Sequence, residues 1–382
     1  MRILILGLST RAIAESAVRG GYEVLTLDYF GDSDQKELVE NYSLMRDFHL
    51  GFSAQALLEA SRQLDFEAVV YISNLENHPD VVEELAQGCV LLGNTPRTLR
   101  QVRHWATLRS FCREAGVPFP VTFFSGEPLP GEGHWLRKPV RSGGGHGISF
   151  WQGKPLDKNH LIQEHIEGIP ASAAFVADGQ NCVLLGVTEQ LIGREELGAR
   201  GFTWCGNILP LELSPEEMDA LLDALEDIAL KLTRRFGLRG ANGFDFVLAR
   251  RGGDLNPYLV EVNPRYTASM ELVERAYGVN VFDLHIRSLE GELPSFSLRE
   301  SIHRPGFYGK GIVYAREDVV IPETAGWREK GRRDIPFPGE RIGAGHPICT
   351  VLAQGESRDE CWHRLLKEAD TMRQEVEKGG ES

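Results

Sequence analysis

Cysteine is scarce in this chain of 382 residues: there are six, at 89, 112, 182, 205, 349 and 361, and no two have CxxC spacing. That excludes a disulfide scaffold or a ribbon-type zinc site and fits reduced thiols in a cytoplasm. Long apolar runs are missing as well. None approaches the roughly eighteen residues of a membrane span. MRILILGL also passes into STRAIAESA without a signal-like cleavage region, so no membrane partner and a cytoplasmic location are expected. Basic charge is short, 41 Lys and Arg against 55 Asp and Glu for a net of −14, which disfavours nucleic acid as a partner. Two phosphate-binding fingerprints are incomplete. Only Gly7 stands in the first turn, so G-x-G-x-x-G fails, and no Gly-Lys-Ser or Gly-Lys-Thr ends the glycine-rich stretch near 145.

What the chain does have is length for two to four compact units. MRILILGL, STRAIAESAVRGG and YEVLTLDYF read as strand, helix and strand, and FEAVVYIS and CVLLGN continue a parallel sheet. Asp28 ends the second strand, where the ribose-binding acid of a dinucleotide fold would stand. Ser214 caps a helix over Pro215 to Phe236, Glu217 completes a capping box, and Gly237 stops it. Leu221, Leu222, Leu225, Ile228, Ala229 and Leu232 form its apolar face. FYGKGIVYAREDVVIP and IGAGHPICTVLAQGESRDECWHRLLKEAD read as strands followed by a helix, with Lys310, between two glycines, read as a hairpin-turn residue, the alternative being that it reaches toward a ligand cleft.

The chemistry concentrates in NGFDFVLARRGGDLNPYLVEVNPR, Asn242 to Arg265. GFDFVLA and YLVEV read as strands and RRGGDLNP as the turn between them. Alternation sets Glu261 and Asn263 on one face, with Val260 and Val262 turned to a core. Folding about Gly253 lays Asp245 opposite Glu261. Opposed carboxylates destabilise a sheet unless a cation neutralises them, and oxygen ligands without His or Cys suit Mg²⁺ or Mn²⁺. Mg²⁺ usually completes its shell with water and phosphate, which points to a nucleotide. Solvated or ion-paired strand acids, with Asn263 as a turn residue before Pro264, are the competing reading.

Upstream, in WLRKPVRSGGGHGISF, a short strand ending at Lys138 and Pro139 enters Gly143, Gly144, Gly145 and Gly147 and returns as ISFW. Glycine lets main-chain N–H groups approach a phosphate, and Lys138 adds an ammonium. A flexible hairpin loop with a solvent-exposed Lys138 is the alternative.

In this order, with LIQEHIEGIPASAAFVA between them, these segments resemble the ATP-grasp superfamily over about residues 95 to 290. The resemblance is to its carboxylate-amine ligase and carboligase branch, related to biotin carboxylase. It implies ATP with Mg²⁺ or Mn²⁺. Lys138 matches the lysine before the flexible loop, and Ser142, Gly143, Gly144, Gly145, His146 and Gly147 match the loop that covers the phosphates. Glu164 and Ile166 match the hinge that hydrogen-bonds the adenine edge, Ile166 through its backbone, and Glu167 is the nearest candidate for the ribose hydroxyls. Asp245, Glu261 and Asn263 match the metal ligands. Arg265 matches a basic residue beside the transferred phosphate and, with Lys138, makes up the implied catalytic pair. Thr267, Ala268 and Ser269 follow closely enough to contact an acceptor. There are departures. Where the family often has a phosphate-binding lysine this chain reads Arg103, His104, Trp105, with Arg103 as the candidate substitute, and Ala171 and Ser172 stand where an acid often follows the hinge.

The fold implied is α/β and α+β multidomain. It comprises a Rossmann-like N-terminal domain over 1–95, an ATP-grasp core of two α+β subdomains over 96–167 and 168–295, and a small C-terminal α+β unit over 296–382. The activity implied is an ADP-forming ligase that activates a carboxylate as an acylphosphate and joins it to an amine. Its partners are then small-molecule carboxylate and amine substrates, with a homodimer as the default state. Two alternatives remain open. One is a bicarbonate-activating enzyme like biotin carboxylase, whose carrier would be a separate protein because no Met-Lys-Met stretch occurs here. The other is a nucleotide-binding module without turnover, which the missing lysine favours.

Overall fold

The computed structural model describes residues 1–304 and 306–379. Short apolar runs buried on both faces form β1 (Ile3–Leu6), β2 (Val24–Asp28) and β4 (Ala68–Tyr71), the centre of a five-stranded parallel sheet that β3 (Glu40–Ser43) and β5 (Val90–Leu91) complete at its edges, in the order β3-β2-β1-β4-β5. β3, with the sequence ENYS, carries no apolar signal and was not anticipated. Asp28 is fully buried and accepts from the Thr10 N–H and hydroxyl and from the Gly31 N–H. It fastens the first turn and has no reach left for a ribose, which removes the dinucleotide reading.

A small antiparallel sheet follows, of β6 (Thr122–Phe123), β7 (Trp135–Pro139), β8 (Ser149–Phe150) and β9 (His160–Glu164), ordered β6-β9-β7-β8. The largest sheet has eight antiparallel strands. It begins with β10 (Ile169–Asp178), β11 (Cys182–Ile192), β12 (Trp204–Leu209), β13 (Arg239–Arg251), β14 (Asp254–Asn263) and β15 (Phe307–Tyr314). β16 (Val319–Val320) pairs only with β18 (Arg341–Ile342), whereas β17 (Arg332–Arg333) and β19 (Pro347–Gly355) extend the large sheet, giving β14-β13-β10-β11-β12-β15-β19-β17. β15 thus pairs with the edge of β12 and carries β19 and β17 into the large sheet, while β16 and β18 form a small sheet of their own. Lys310 is accordingly a mid-strand residue, 4% exposed and bridged to Glu271 at 2.7 Å, and not a turn residue.

The helix over Pro215–Phe236 forms with its capping box, its left-handed Gly237 stop and its buried leucine face as the spacing predicts. Among the described residues, no helix is long and apolar enough to cross a membrane.

Register gives the large sheet two unlike faces. A Cβ on Gly309 would meet Leu365 and Cys361 of the Arg358–Gly379 helix, so its neighbour Lys310 points to the opposite face. Directly paired residues share a face, and pairing links Glu261 to Asp245, Ser172 and Thr188, then Gln190 to Asn207 and Lys310. A polar row therefore crosses six strands beneath the crevice, while Phe244, Phe246 and Leu248 are buried on the other side.

Buried charge ties the parallel sheet to this face. Arg11, on the helix Arg11–Arg19, is fully buried and donates to Glu271 at 2.6 and 3.0 Å and to Asp334 at 3.0 and 3.2 Å. Removing one partner of such a cluster leaves the others buried and unpaired. Arg11→Ala is expected to lower stability by about 3 kcal/mol or more in urea denaturation. A loss below about 1 kcal/mol would show the cluster to be dispensable.

Candidate nucleotide and metal site

The hairpin turns on Gly252 and Gly253 alone, both left-handed at φ 66° and 98°, and Arg251 already pairs with Asp254. RR and DLNP, expected in the turn, are strand. From Arg251↔Asp254 to Phe246↔Leu259 the register is regular, and then Val260 is an extra residue before Asp245↔Glu261 and Gly243↔Asn263. This bulge decides the chemistry. Without it Asp245 would face Val260, and Glu261 would point to the opposite side. It also corrects the expected core: Val262 and Leu259 are fully buried, whereas Val260 is only half-buried.

Asp245 accepts from Gln190 Nε2 at 3.0 Å and from Asn263 Nδ2 at 3.2 Å. Burial, then the Glu261 charge, push its carboxyl up to about 8. Burial acts on Glu261 too, but Arg103 and Lys138 outweigh it and hold that carboxyl below its ordinary value. One proton shared by the pair therefore sits on Asp245. A divalent cation would replace it, so the donor set fits Mg²⁺ or Mn²⁺. Among the described residues no three His, Cys, Asp or Glu side chains gather into a complete cage, which leaves water and phosphate to finish the shell. Asn263 turns its Oδ1 to Arg265 at 3.3 Å, and would offer that oxygen to a cation only by giving up the present contacts.

Around the pair stand three cations. Lys138 is 6% exposed, contrary to the solvent-exposed alternative, and its Nζ donates to Gln163 Oε1 at 3.0 Å and lies 5.1 Å above the Trp105 ring. Burial lowers its pKa, and Glu261 and Asp245 oppose that shift. Arg103 Nη1 lies 3.5 Å from Glu261 and donates to the Val262 carbonyl at 2.8 Å, so a guanidinium occupies the region where a lysine was missed. Arg265 Nη2 pairs with Glu76 at 2.7 Å.

The glycine loop has left-handed backbone at Gly144, Gly145 and Gly147. A Cβ at Gly145 would fall 1.8 Å from the Phe202 carbonyl oxygen, and Trp204 N–H donates to Gly144 O at 3.0 Å. Here the glycine is required by packing of the loop on the large-sheet segment 202–204. Ser142 Oγ donates to His146 O at 2.6 Å, and His146 and Gly147 are exposed.

At the hinge, Glu164 accepts from the Val121 N–H at 3.2 Å and pairs with Arg251 at 2.6 Å. Its carboxylate is thus engaged by the hairpin tip. Ile166 is buried and Glu167 exposed. All three line a cavity of about 500 Å³ that also touches Trp135 and Ala249 but not Lys138, Asp245 or Glu261. Thr267 and Ser269 hydrogen-bond each other at 3.0 Å. Sequence reasoning missed Glu76 and gave Gln163 no role of its own; only register and packing bring them to the site.

The shared proton has a measurable consequence in the metal-free protein. Between the ordinary aspartate value and about 8, the folded chain keeps a proton on Asp245 that the unfolded chain releases, so stability falls as pH rises through that window. Asp245→Asn removes this decline. Melting temperatures of wild type and variant should converge at acid pH and separate in favour of the variant at pH 8, and parallel profiles would contradict the assignment.

Residues 104–269 match the family model of the ATP-grasp domain. An uncharacterized protein of Methanocaldococcus jannaschii is 21% identical over 376 residues, which is 93% of this chain and 88% of that one. Carbamoyl phosphate synthase large chains that also match are far longer, and the match spans 15% of the one from Acidobacterium capsulatum. Among solved structures, an L-amino acid ligase from Bacillus licheniformis superimposes with a TM-score of 0.69 at 17% identity, covering 97% of both chains. A biotin carboxylase complex from Campylobacter jejuni gives 0.72 at 16%, covering 98% of this chain and 91% of that one. Such identities speak for the fold, and the family match spans the loop, hinge and hairpin just described. Residues 104–269 thus carry an ATP-grasp domain.

Proposed function

We propose that the protein is an ADP-forming ligase that phosphorylates a small-molecule carboxylate with ATP and passes the acyl group to an amine. The observation that carries this reading is the bulged hairpin that opposes Asp245 to Glu261 beside Lys138, Arg103 and Arg265. Asp245, Glu261 and Asn263 would hold Mg²⁺, which when bound neutralises phosphate charge.

The chain's own residues supply the rest. Leu136 lies two residues from Lys138, Val247 two from Asp245, and Val260 beside Glu261. All three are half-buried on the crevice side and offer an apolar slab for the base. The hinge backbone at Glu164 to Ile166 meets the base edge, and Glu167 stands ready for the ribose. Main-chain N–H groups of Ser142 to Gly147, with Lys138, cover the phosphates and exclude water from the acylphosphate. Arg265 faces the charge that develops on the transferred group. Thr267 and Ser269, on the loop after it, border the acceptor. The division at 95, 167 and 295, a cytoplasmic location and a homodimer belong to the same reading.

The test is ADP release with a panel of carboxylates and amines. Amine-dependent ADP and phosphate formation is expected, with Asp245→Ala and Glu261→Ala each lowering turnover by roughly 100-fold or more. Bicarbonate-dependent turnover without an amine would select a carboxylase instead. Absence of nucleotide binding, or variants as active as wild type, would refute the ligase.

A further inference from the structure

The segment after β4, the turn Leu75–Asn77, touches every cationic or glycine element of the proposed site except Lys138, and that reading leaves it without a role. It lies where the strand order of the parallel sheet reverses, between β1 and β4, the crevice at which open α/β sheets present their functional groups. Glu76 is 1% exposed and Asn77 4% exposed. Glu76 Oε1 forms an ion pair with Arg265 Nη2 at 2.7 Å. Asn77 Oδ1 accepts from Arg103 Nε at 3.0 Å and Nη2 at 2.8 Å, while its Nδ2 donates to the Ser142 carbonyl at 3.3 Å and to Asn74 Oδ1. A guanidinium can only donate, so Arg103 dictates which way the Asn77 amide points, and its nitrogen must face the start of the glycine loop.

One amide therefore joins the guanidinium beside Glu261 to the first residue of the loop, and the adjacent carboxylate holds the second guanidinium. Simple docking of the parallel sheet does not call for this: Arg11 already performs it elsewhere. We propose that Glu76 and Asn77 are positioning residues, Glu76 fixing Arg265 and Asn77 setting the glycine loop and Arg103 at one spacing. The proposal rests on the ligase reading for its kinetic consequences, though not for the loop contact itself. Charge-assisted bonds aimed at arginine fix it without reorganisation when phosphate arrives. Loss of the Ser142 contact frees one end of the loop, with the other still held by Trp204.

Arg141 is exposed immediately before Ser142, so tryptic cleavage there reports the loop directly. In the full-length protein, Asn77→Asp keeps an oxygen for Arg103 and deletes the donor to Ser142. It should speed cleavage after Arg141 and raise the KM for ATP roughly tenfold while kcat falls much less. Glu76→Gln keeps the shape and drops the charge. It should lower kcat roughly tenfold with little change in the dissociation constant for a non-hydrolysable ATP analogue with Mg²⁺, and Glu76→Asp should restore part of the loss. Melting temperatures check that each variant is folded, and a variant that fails to fold is replaced by its conservative partner, Asn77→Ser or Glu76→Asp. Wild-type KM and wild-type Arg141 cleavage in Asn77→Asp would overturn the loop contact, and unchanged kcat in Glu76→Gln would overturn the Arg265 role. If the wild type releases no ADP, the ligase reading falls by itself, and equal Arg141 cleavage in wild type and Asn77→Asp then overturns the positioning of the loop.

Discussion

Two carboxylates facing each other across β13 and β14 repel, and the arrangement around them follows from that repulsion. Gln190 and Asn263 donate to Asp245, while Arg103, Lys138 and Arg265 surround the pair from three different elements. None of these groups is close to another in sequence except Asn263 and Arg265, which Pro264 separates. Burial lowers the pKa of the Lys138 ammonium and the two acids oppose that shift, while Arg103 and Lys138 hold Glu261 below its ordinary value against burial. Each half makes the other tenable, and a divalent cation would take over the work of the shared proton.

That balance needs a rigid frame. The polar row across the large sheet ends at Lys310, whose partner Glu271 is also held by Arg11 from the parallel sheet. The same network reaches Asp334, directly after β17. Four distant stretches of chain thus converge on one crevice face, and the apolar face beneath carries the helices. A sheet with one wet and one dry face is what an antiparallel architecture permits.

Much of this was legible beforehand. The capping box at Ser214, the parallel start and the glycine loop rest on local rules of spacing and alternation, whereas the expected opposition of Asp245 and Glu261 is reached through a bulge. The failures are equally specific. β3 has no apolar pattern because its neighbours are polar side chains bonded among themselves, such as Asn41 to Thr26. Lys310 between two glycines looks like a turn, because strand pairing with β12 and β19 is invisible at that range. Val260 was assigned to the core because a bulge cannot be seen in a pattern of alternating residues.

By itself the sequence determined which residue types could bind a metal and a phosphate, and in what order along the chain, since these depend on composition and on neighbours a few positions away. Only the tertiary structure decided that one extra residue at Val260 brings Glu261 to the side of Asp245, that Arg103 stands beside it, and that Glu76 and Asn77 grip the arginines. Those outcomes depend on register between strands and on contacts between separate elements, 26 residues apart for Asn77 and Arg103 and 159 for Arg103 and Val262, where no local preference of the chain can choose.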